Sequence, residues 1–335
     1  MVLGGHIDGS SVRSSRLPQQ ISGRLSLPLI AAPMLRVSGP DMVVAACKAG
    51  VIGAFPTQNP KLLGDPAGLD GWLERMFDTL GRDKSAFAPI CPNLIMRTDD
   101  LGAHVDSVLR FGVEMVITSV GSPKPILGRL HDAGVFVFAD VATVEHARKA
   151  IEVGVDGLVL LTAGAGGQTG WLNPFAYVRA VRAMFDGPIV LAGGMSDGVA
   201  LLASQVLGCD LAYMGTKLIA THESLASSDY GDALVAASMD DIMLTKAFTG
   251  LSGSYLRQTI VAAGLDPDNL DESVSEARAR EAYGARSGGA KRWTDIKSAG
   301  HSVSGVTAVT SVAEVIADTQ KEYRAAAAAM AARFT

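Results

Sequence analysis

Eight short apolar runs, separated by helix-like stretches, constrain the fold of this chain more than any other feature. They are Pro28-Leu-Ile-Ala-Ala32, Val51-Ile-Gly-Ala-Phe55, Phe87-Ala-Pro-Ile-Cys91, Met115-Val-Ile-Thr118, Val135-Phe-Val-Phe138, Gly157-Leu-Val-Leu-Leu161, Pro188-Ile-Val-Leu-Ala192 and Leu211-Ala-Tyr-Met214. Hydrophobicity in each is continuous rather than alternating, as parallel strands covered on both faces require. Helical patterns lie between them, at 144–153 behind a candidate cap, Thr143, and at 198–207 behind a candidate cap, Ser196. Eight βα units predict an α/β protein built as a (β/α)8 TIM barrel, with its C-terminal loops aimed at one shared face. A doubly wound open sheet fits less well: glycine-rich signals follow the sixth, seventh and eighth strands, and no GxGxxG turn follows the first.

After the eighth strand the pattern changes. Helical segments around 232–246 and 254–263, then a charged stretch near 271–281, predict a helical insertion. The expected division is a barrel of residues 1–222 and 301–335 and an inserted helical subdomain of residues 223–300. A candidate capping box, Ser311-Val-Ala-Glu314, opens a last helix whose Val312, Val315, Ile316 and Tyr323 share a face, suited to completing the outer layer.

Of 335 residues, 48% are hydrophobic and 19% charged, enough for a large core. A net charge of −5 speaks against a nucleic-acid or anionic-membrane partner, since both demand clustered Lys and Arg, and favours a small-molecule substrate. No apolar run is long enough to span a bilayer, and residues 1–20 lack the apolar centre of a secretory signal. Cys47, Cys91 and Cys209 sit in apolar stretches without metal-ligand or disulfide spacing, so buried, reduced thiols in a cytoplasmic protein without a metal site are expected. A homo-oligomer is compatible with the chain.

The chemistry is expected near the sixth strand, which ends in Thr-Ala-Gly-Ala-Gly-Gly-Gln-Thr-Gly170, glycines surrounding the polar Gln168. Such a loop lets backbone approach a flat or phosphorylated ligand closely. Ala192-Gly193-Gly194-Met-Ser196 and Met214-Gly215-Thr216-Lys217 each lie where a strand passes into a helix. Free amides and the helix dipole there favour an anion, so two neighbouring strand ends can grip one phosphate, with the Thr216 hydroxyl as a further donor. Lys217 reads as an exposed lysine, and His104, His131 and His146 as solvated. Trp171 and Phe175 suit a pocket wall or the packing of the next helix, and Asn173-Pro174 reads as a helix start.

Together, Pro28-Leu-Ile-Ala-Ala-Pro-Met34, Cys91-Pro-Asn93, Ala165-Gly-Gly-Gln168, Ala192-Gly-Gly194, Met214-Gly-Thr216 with Thr221-His-Glu223, and Ser298-Ala-Gly300 resemble the nitronate monooxygenase (2-nitropropane dioxygenase-like) family of FMN-dependent barrels. The resemblance runs from Pro28 to the last helix. It implies FMN, the phosphate held beside Ala192 by Gly193, Gly194, Gly215 and Thr216, and the isoalloxazine over the barrel mouth near Pro33, Met34, Asn93 and Gly166. Members of that family commonly carry histidine where this chain has Gln168, and that histidine is thought to take the proton alpha to a nitro group. A glutamine amide cannot titrate near neutrality, so Gln168 can orient a substrate but cannot act as general base. Relatives commonly show glutamine where this chain has His301, which suggests an exchange of the two residues between loops, with His301 supplying the titratable group. Asp140 stands where some relatives place lysine near the cofactor, and is expected to pair with ribityl hydroxyls or to make a structural hydrogen bond.

The resulting expectation is an FMN-dependent oxidoreductase that oxidises alkyl nitronates with O2. One alternative is an NAD(P)H-dependent flavin reductase acting on an enoyl thioester or quinone, with NAD(P)H as reductant. The other is a flavin-binding barrel without turnover.

Overall fold

The computed structural model describes residues 16–81, 83–284 and 288–334. The glycine-, serine- and arginine-bearing start of the chain, through residue 15, lies outside them. Strands β1 (Leu29–Ala31), β2 (Ile52–Pro56), β3 (Ile90–Ile95), β4 (Met115–Ser119), β5 (Phe136–Val141) and β6 (Gly157–Leu161) follow one another around a barrel. A two-residue strand, β7 (Gly167–Gln168), lies outside it. Strands β8 (Ile189–Ala192) and β9 (Leu211–Met214) then complete the circuit, and β9 closes on β1 through Leu29–Ala212 and Ala31–Met214. All eight barrel pairings are parallel.

The continuous apolar runs match a strand covered on two sides. In β6, Val159 points into the barrel with Ile30, Ile52, Cys91, Met115, Phe138, Val190 and Leu211, whereas Leu158 and Leu160 pack against the surrounding helices. The short helix Gln19–Ser22 places Leu17 and Ile21 in the barrel-interior cluster. All three cysteines are buried and free. β3 begins later than the apolar run predicts: Phe87, Ala88 and Pro89 precede it, and the strand continues through Pro92 and Asn93.

The helix Val144–Val153 starts at Thr143, whose Oγ1 accepts from the amide of His146. For the helix Gly198–Leu207 the cap is Asp197, not Ser196, because the Asp197 carboxylate reaches the Ala200 amide at 2.8 Å. Asn173 caps Pro174–Arg182 as expected. The capping box also forms: the Ser311 amide donates to Glu314 Oε2, and the Glu314 amide donates to Ser311 Oγ. The last helix, Val312–Phe334, buries Val312, Val315 and Ile316 and packs along Gly198–Leu207. Its Glu322 accepts a hydrogen bond from the Gly198 amide at 3.0 Å.

The segment after β9 leaves the barrel beyond Thr221 and returns at Thr310, the two residues bridging in parallel. It is less helical than its sequence suggests. A helix covers only Ser228–Ala236; then come β10 (Ile242–Thr245) and β11 (Gly253–Leu256), followed by the helices Arg257–Ala262 and Glu276–Tyr283. β10 and β11 pair antiparallel, and β11 pairs in turn with β7, opposing Gly253 to Gln168 and Ser254 to Gly167. A small core of Phe248, Tyr255, Ile260 and Ile296, with Tyr255 stacked on Trp293, holds this unit together. Among the described residues no helix is long and apolar enough to cross a membrane.

Candidate active site

At the C-terminal end of the barrel lies a cavity of about 650 Å3, walled by barrel loops on one side and by Lys246, Thr249, Leu251, Arg292 and Trp293 of the insertion on the other. Pro33, Met34, Asn93, Asp140, Gly166, Gln168, Ala192, Gly193, Gly194, Gly215 and Thr216 all line it. Segments far apart in sequence thus converge on the face that the barrel topology designates for chemistry.

The glycine turns after β8 and β9 form one wall. Gly193 has φ of +135°, and a Cβ there would fall 2.4 Å from Thr162 Oγ1, which is fixed by its own bond to the Ala192 carbonyl. Among the described residues, the amides of Gly193, Gly194 and Gly215 meet no protein acceptor. Two of the first three amides of Gly198–Leu207, by contrast, are occupied: Gly198 donates to Glu322 and Ala200 to Asp197. The unpartnered amides therefore lie in the turn before that helix, at Gly193 and Gly194, the residues to which the sequence reading assigned a phosphate. Thr216 Oγ1 accepts from the Gly300 amide at 2.9 Å, which leaves its own proton free to donate. Lys217 is not a free exposed lysine, since its ammonium donates to the Ser196 carbonyl at 3.1 Å.

The cavity floor is polar where the barrel top is polar. Asn93 and Ser119 hydrogen-bond each other, at 3.2 and 3.3 Å. Asp140 Oδ1 and the Tyr213 hydroxyl are sealed from water and have no hydrogen-bond partner among the described residues. Burial pushes the Asp140 carboxyl up to about 7 and holds the Tyr213 phenol well above its usual range. Strain accompanies the site. Val120 and Trp293, both cavity-lining, adopt φ of 56° and 65°, a conformation that a β-branched residue takes only under constraint.

Gln168 reaches the cavity from β7, and its loop is hooked to the insertion, the Thr169 amide donating to the Ser252 carbonyl at 3.0 Å. His301 does not reach the cavity. Its amide donates to the Gly164 carbonyl at 2.9 Å, and its ring lies against Gly164, itself a cavity-lining residue, where an added Cβ would lie 2.9 Å from Nδ1. Its neighbours Ala299 and Ser302 line the cavity instead.

Other expectations shift too. His104 is buried, its Nδ1 3.0 Å from Thr57 Oγ1, and burial lowers its pKa. His131 pairs with Asp156 at 2.9 Å. His146 is exposed as expected, yet it lines the cavity. Trp171 borders the cavity at 73% exposure, while Phe175, 62% exposed, does not border it. Ser119, Tyr213, His146 and the insertion residues are among the cavity groups that sequence reasoning missed. Tyr213 was visible only as part of an apolar run, but the alternation of inward and outward positions from Leu211 gives it an inward direction.

Among the described residues no cluster of three or more His, Cys, Asp or Glu could hold a metal. The arrangement suits a ligand with a phosphate at the glycine turns and hydrogen-bonding groups at the floor.

A family model described as nitronate monooxygenase matches residues 84–322. A (3aS,4S,5R,7aS)-5-hydroxy-7a-methyl-1-oxo-octahydro-1H-indene-4-carboxyl-CoA dehydrogenase of Rhodococcus jostii (strain RHA1) is 23% identical over 270 residues, covering 80% of this chain and 73% of that protein. A probable nitronate monooxygenase of Staphylococcus aureus (strain JH9) is 29% identical over 167 residues, covering 47% of each, so the match spans less than half of that relative. In fold, the chain resembles FabK from Thermotoga maritima, with a TM-score of 0.74 at 20% identity over 96% of this chain and 99% of that one. It also resembles nitroalkane oxidase from Streptomyces ansochromogenes, with a TM-score of 0.72 at 23% identity over 92% and 99%.

Proposed function

The chain belongs to the nitronate monooxygenase family and is an oxidoreductase; from that premise we propose that it binds FMN and oxidises alkyl nitronates with O2. The observation that carries this reading is the pair of glycine turns, after β8 and β9, whose unpartnered amides open on the cavity. FMN fits these residues: a phosphate takes the amides of Gly193, Gly194 and Gly215 with the Thr216 hydroxyl, and Pro33, Met34, Asn93, Asp140, Gly166 and Ala192 are expected around the rest. Bound there, FMN would supply the electron acceptor for an oxidation with O2.

Gln168 decides the form of the substrate. Its amide can orient a nitro group but cannot remove a proton, so the substrate is taken already ionised, as the nitronate. The cavity, about 650 Å3 and partly apolar, suits a small organic anion beside the cofactor. Cytoplasmic residence belongs to the same proposal and is supported by the three free, buried cysteines.

The absorbance of the purified protein tests the cofactor: a flavin spectrum is expected, and a colourless protein that FMN cannot reconstitute overturns the reading. Anaerobic mixing tests the reaction, because bleaching by a nitronate and not by NADPH or NADH is expected. Rapid bleaching by NAD(P)H supports the second reading, an NAD(P)H-dependent reductase of an enoyl thioester or quinone. That reading is favoured by the cationic Lys246 and Arg292 on the insertion side of the cavity, suited to a phosphate-bearing carrier. Membership in a family of enzymes leaves a barrel without turnover unsupported.

A further inference from the structure

One large side chain at the cavity has no part in the proposed reaction. Trp171 borders the cavity, yet its indole is largely exposed, and tryptophan is on average among the well-buried residues because of the apolar area it carries. A loose loop would explain such exposure. The backbone on both sides of Trp171 is instead fastened to the barrel. Gly170 is wedged between the ends of β5 and β6, where a Cβ would strike the carbonyl oxygens of Ala142 and Leu161. Thr169 donates through Oγ1 to the Thr162 carbonyl at 2.7 Å, and the Leu172 carbonyl accepts from the Ala163 amide at 3.0 Å. The chain thus carries an uncovered indole on a fixed support at the edge of its ligand cavity, the arrangement of a preorganised apolar contact.

The position of Gln168 says what such a contact would meet. Gln168 and Trp171 line the same cavity, and three residues separate their Cα atoms by at most about 11 Å. Ala142 and Leu161, which abut Gly170, line it as well, so apolar side chains accompany the path from one to the other. With Gln168 at the nitro end of a substrate, an extended substituent on that substrate comes within reach of the indole. A short one does not.

We propose that Trp171 is a specificity-determining residue whose indole takes the apolar substituent of the substrate, an aryl ring or a longer alkyl chain, and so selects bulky nitronates over small ones. The inference rests on the nitronate reading for what happens at Gln168 and adds the class of substrate. Its occupant follows from continuity, since a ligand already seated beside Gln168 covers Trp171 without a second partner. Phe175, exposed but away from the cavity, takes no share in it.

Carboxylates share the planar, two-oxygen anionic head of a nitronate and are not oxidised, so they report binding without turnover. In the test, 3-phenylpropionate and propionate are titrated calorimetrically into the full chain supplied with FMN. Wild type is expected to favour 3-phenylpropionate by about tenfold. In Trp171→Ala that preference is expected to fall to about twofold or less, with propionate affinity unchanged, and Trp171→Phe is expected to restore most of it, a rescue that a damaged loop would not show. In turnover of the anion of 2-phenylnitroethane, Trp171→Ala is expected to raise KM about tenfold and to leave kcat within about threefold. Absence of a preference in wild type, or its survival in Trp171→Ala, overturns the assignment and leaves the cofactor and reaction readings intact. So does a Trp171→Ala chain that keeps the preference but loses an oligomer seen for wild type in size-exclusion chromatography, which assigns the indole to a contact between copies. Failure of every nitronate to bleach the flavin overturns the reaction reading instead, and the calorimetric preference, which needs no turnover, still decides the role of Trp171.

Discussion

A carboxyl group that keeps its proton inside a barrel makes the fold sensitive to alkali. The Asp140 pKa rises from 3.8 to about 7, so across that window the native state holds a proton that the unfolded chain has released. Stability from this group is therefore fully present at low pH and is lost as pH rises through about 7. Asp140→Asn should remove this dependence: in calorimetry at pH 5 and pH 8, the variant is expected to gain about 1–3 kcal/mol relative to wild type at the higher pH. Position 168 gives a second residue-scale prediction. Gln168→His places a titratable ring on the cavity wall and should raise oxygen uptake with a neutral nitroalkane by about 100-fold while leaving the nitronate rate within a few-fold; no change in the ratio shows that the proton is taken elsewhere. The roles of these two residues differ in legibility. Gln168 stood out because glycines isolate it, whereas the surroundings of His301, whose amide bonds the Gly164 carbonyl and whose ring lies against that residue, come from a loop contact that the sequence does not display.

Elements were readable where burial on both faces writes a continuous apolar run, as in β6 and β9, whose bounds match the sequence runs. β3 was misplaced because Pro92 and Asn93 interrupt the run after Cys91, although both lie within the strand. β7, β10 and β11 left almost no pattern. A two-residue strand has no period, and the exposed Leu244 breaks the alternation expected of β10. His104 could have been placed, since it shares a helix face with the buried Val105 and Val108. The β7–β11 pairing ties the Gln168 loop to the insertion, so the amides of the two strands should exchange with deuterium as one unit and gain protection together when FMN is added. Protection gained on β7 alone would break that link. At the turn after β8, Gly193→Ala adds a Cβ against Thr162 at a φ of +135°. FMN affinity is expected to fall at least about tenfold, read by fluorescence titration, with a stability loss of about 1–3 kcal/mol.

In the whole molecule, barrel and insertion share one cavity and touch through Gly164 and Gly300. A Cβ on Gly300 would meet the Gly164 carbonyl oxygen at 2.4 Å, and the Gly300 amide is held by Thr216. Two units joined this closely at the ligand site should unfold together. Calorimetry is expected to give a single transition that moves upward with saturating FMN, by about 3 kcal/mol at a hundredfold excess over Kd; two transitions, with only one responding, would show the insertion to be an independent unit. The last helix adds a constraint of a different kind. The turn that carries Gly193 and Gly194 leads into a helix whose opening amide is satisfied by Glu322, more than a hundred positions later in the chain. On the ribosome that acceptor emerges after every barrel strand has been made, so the helix behind this turn gains the partner of its opening amide only once the last helix exists.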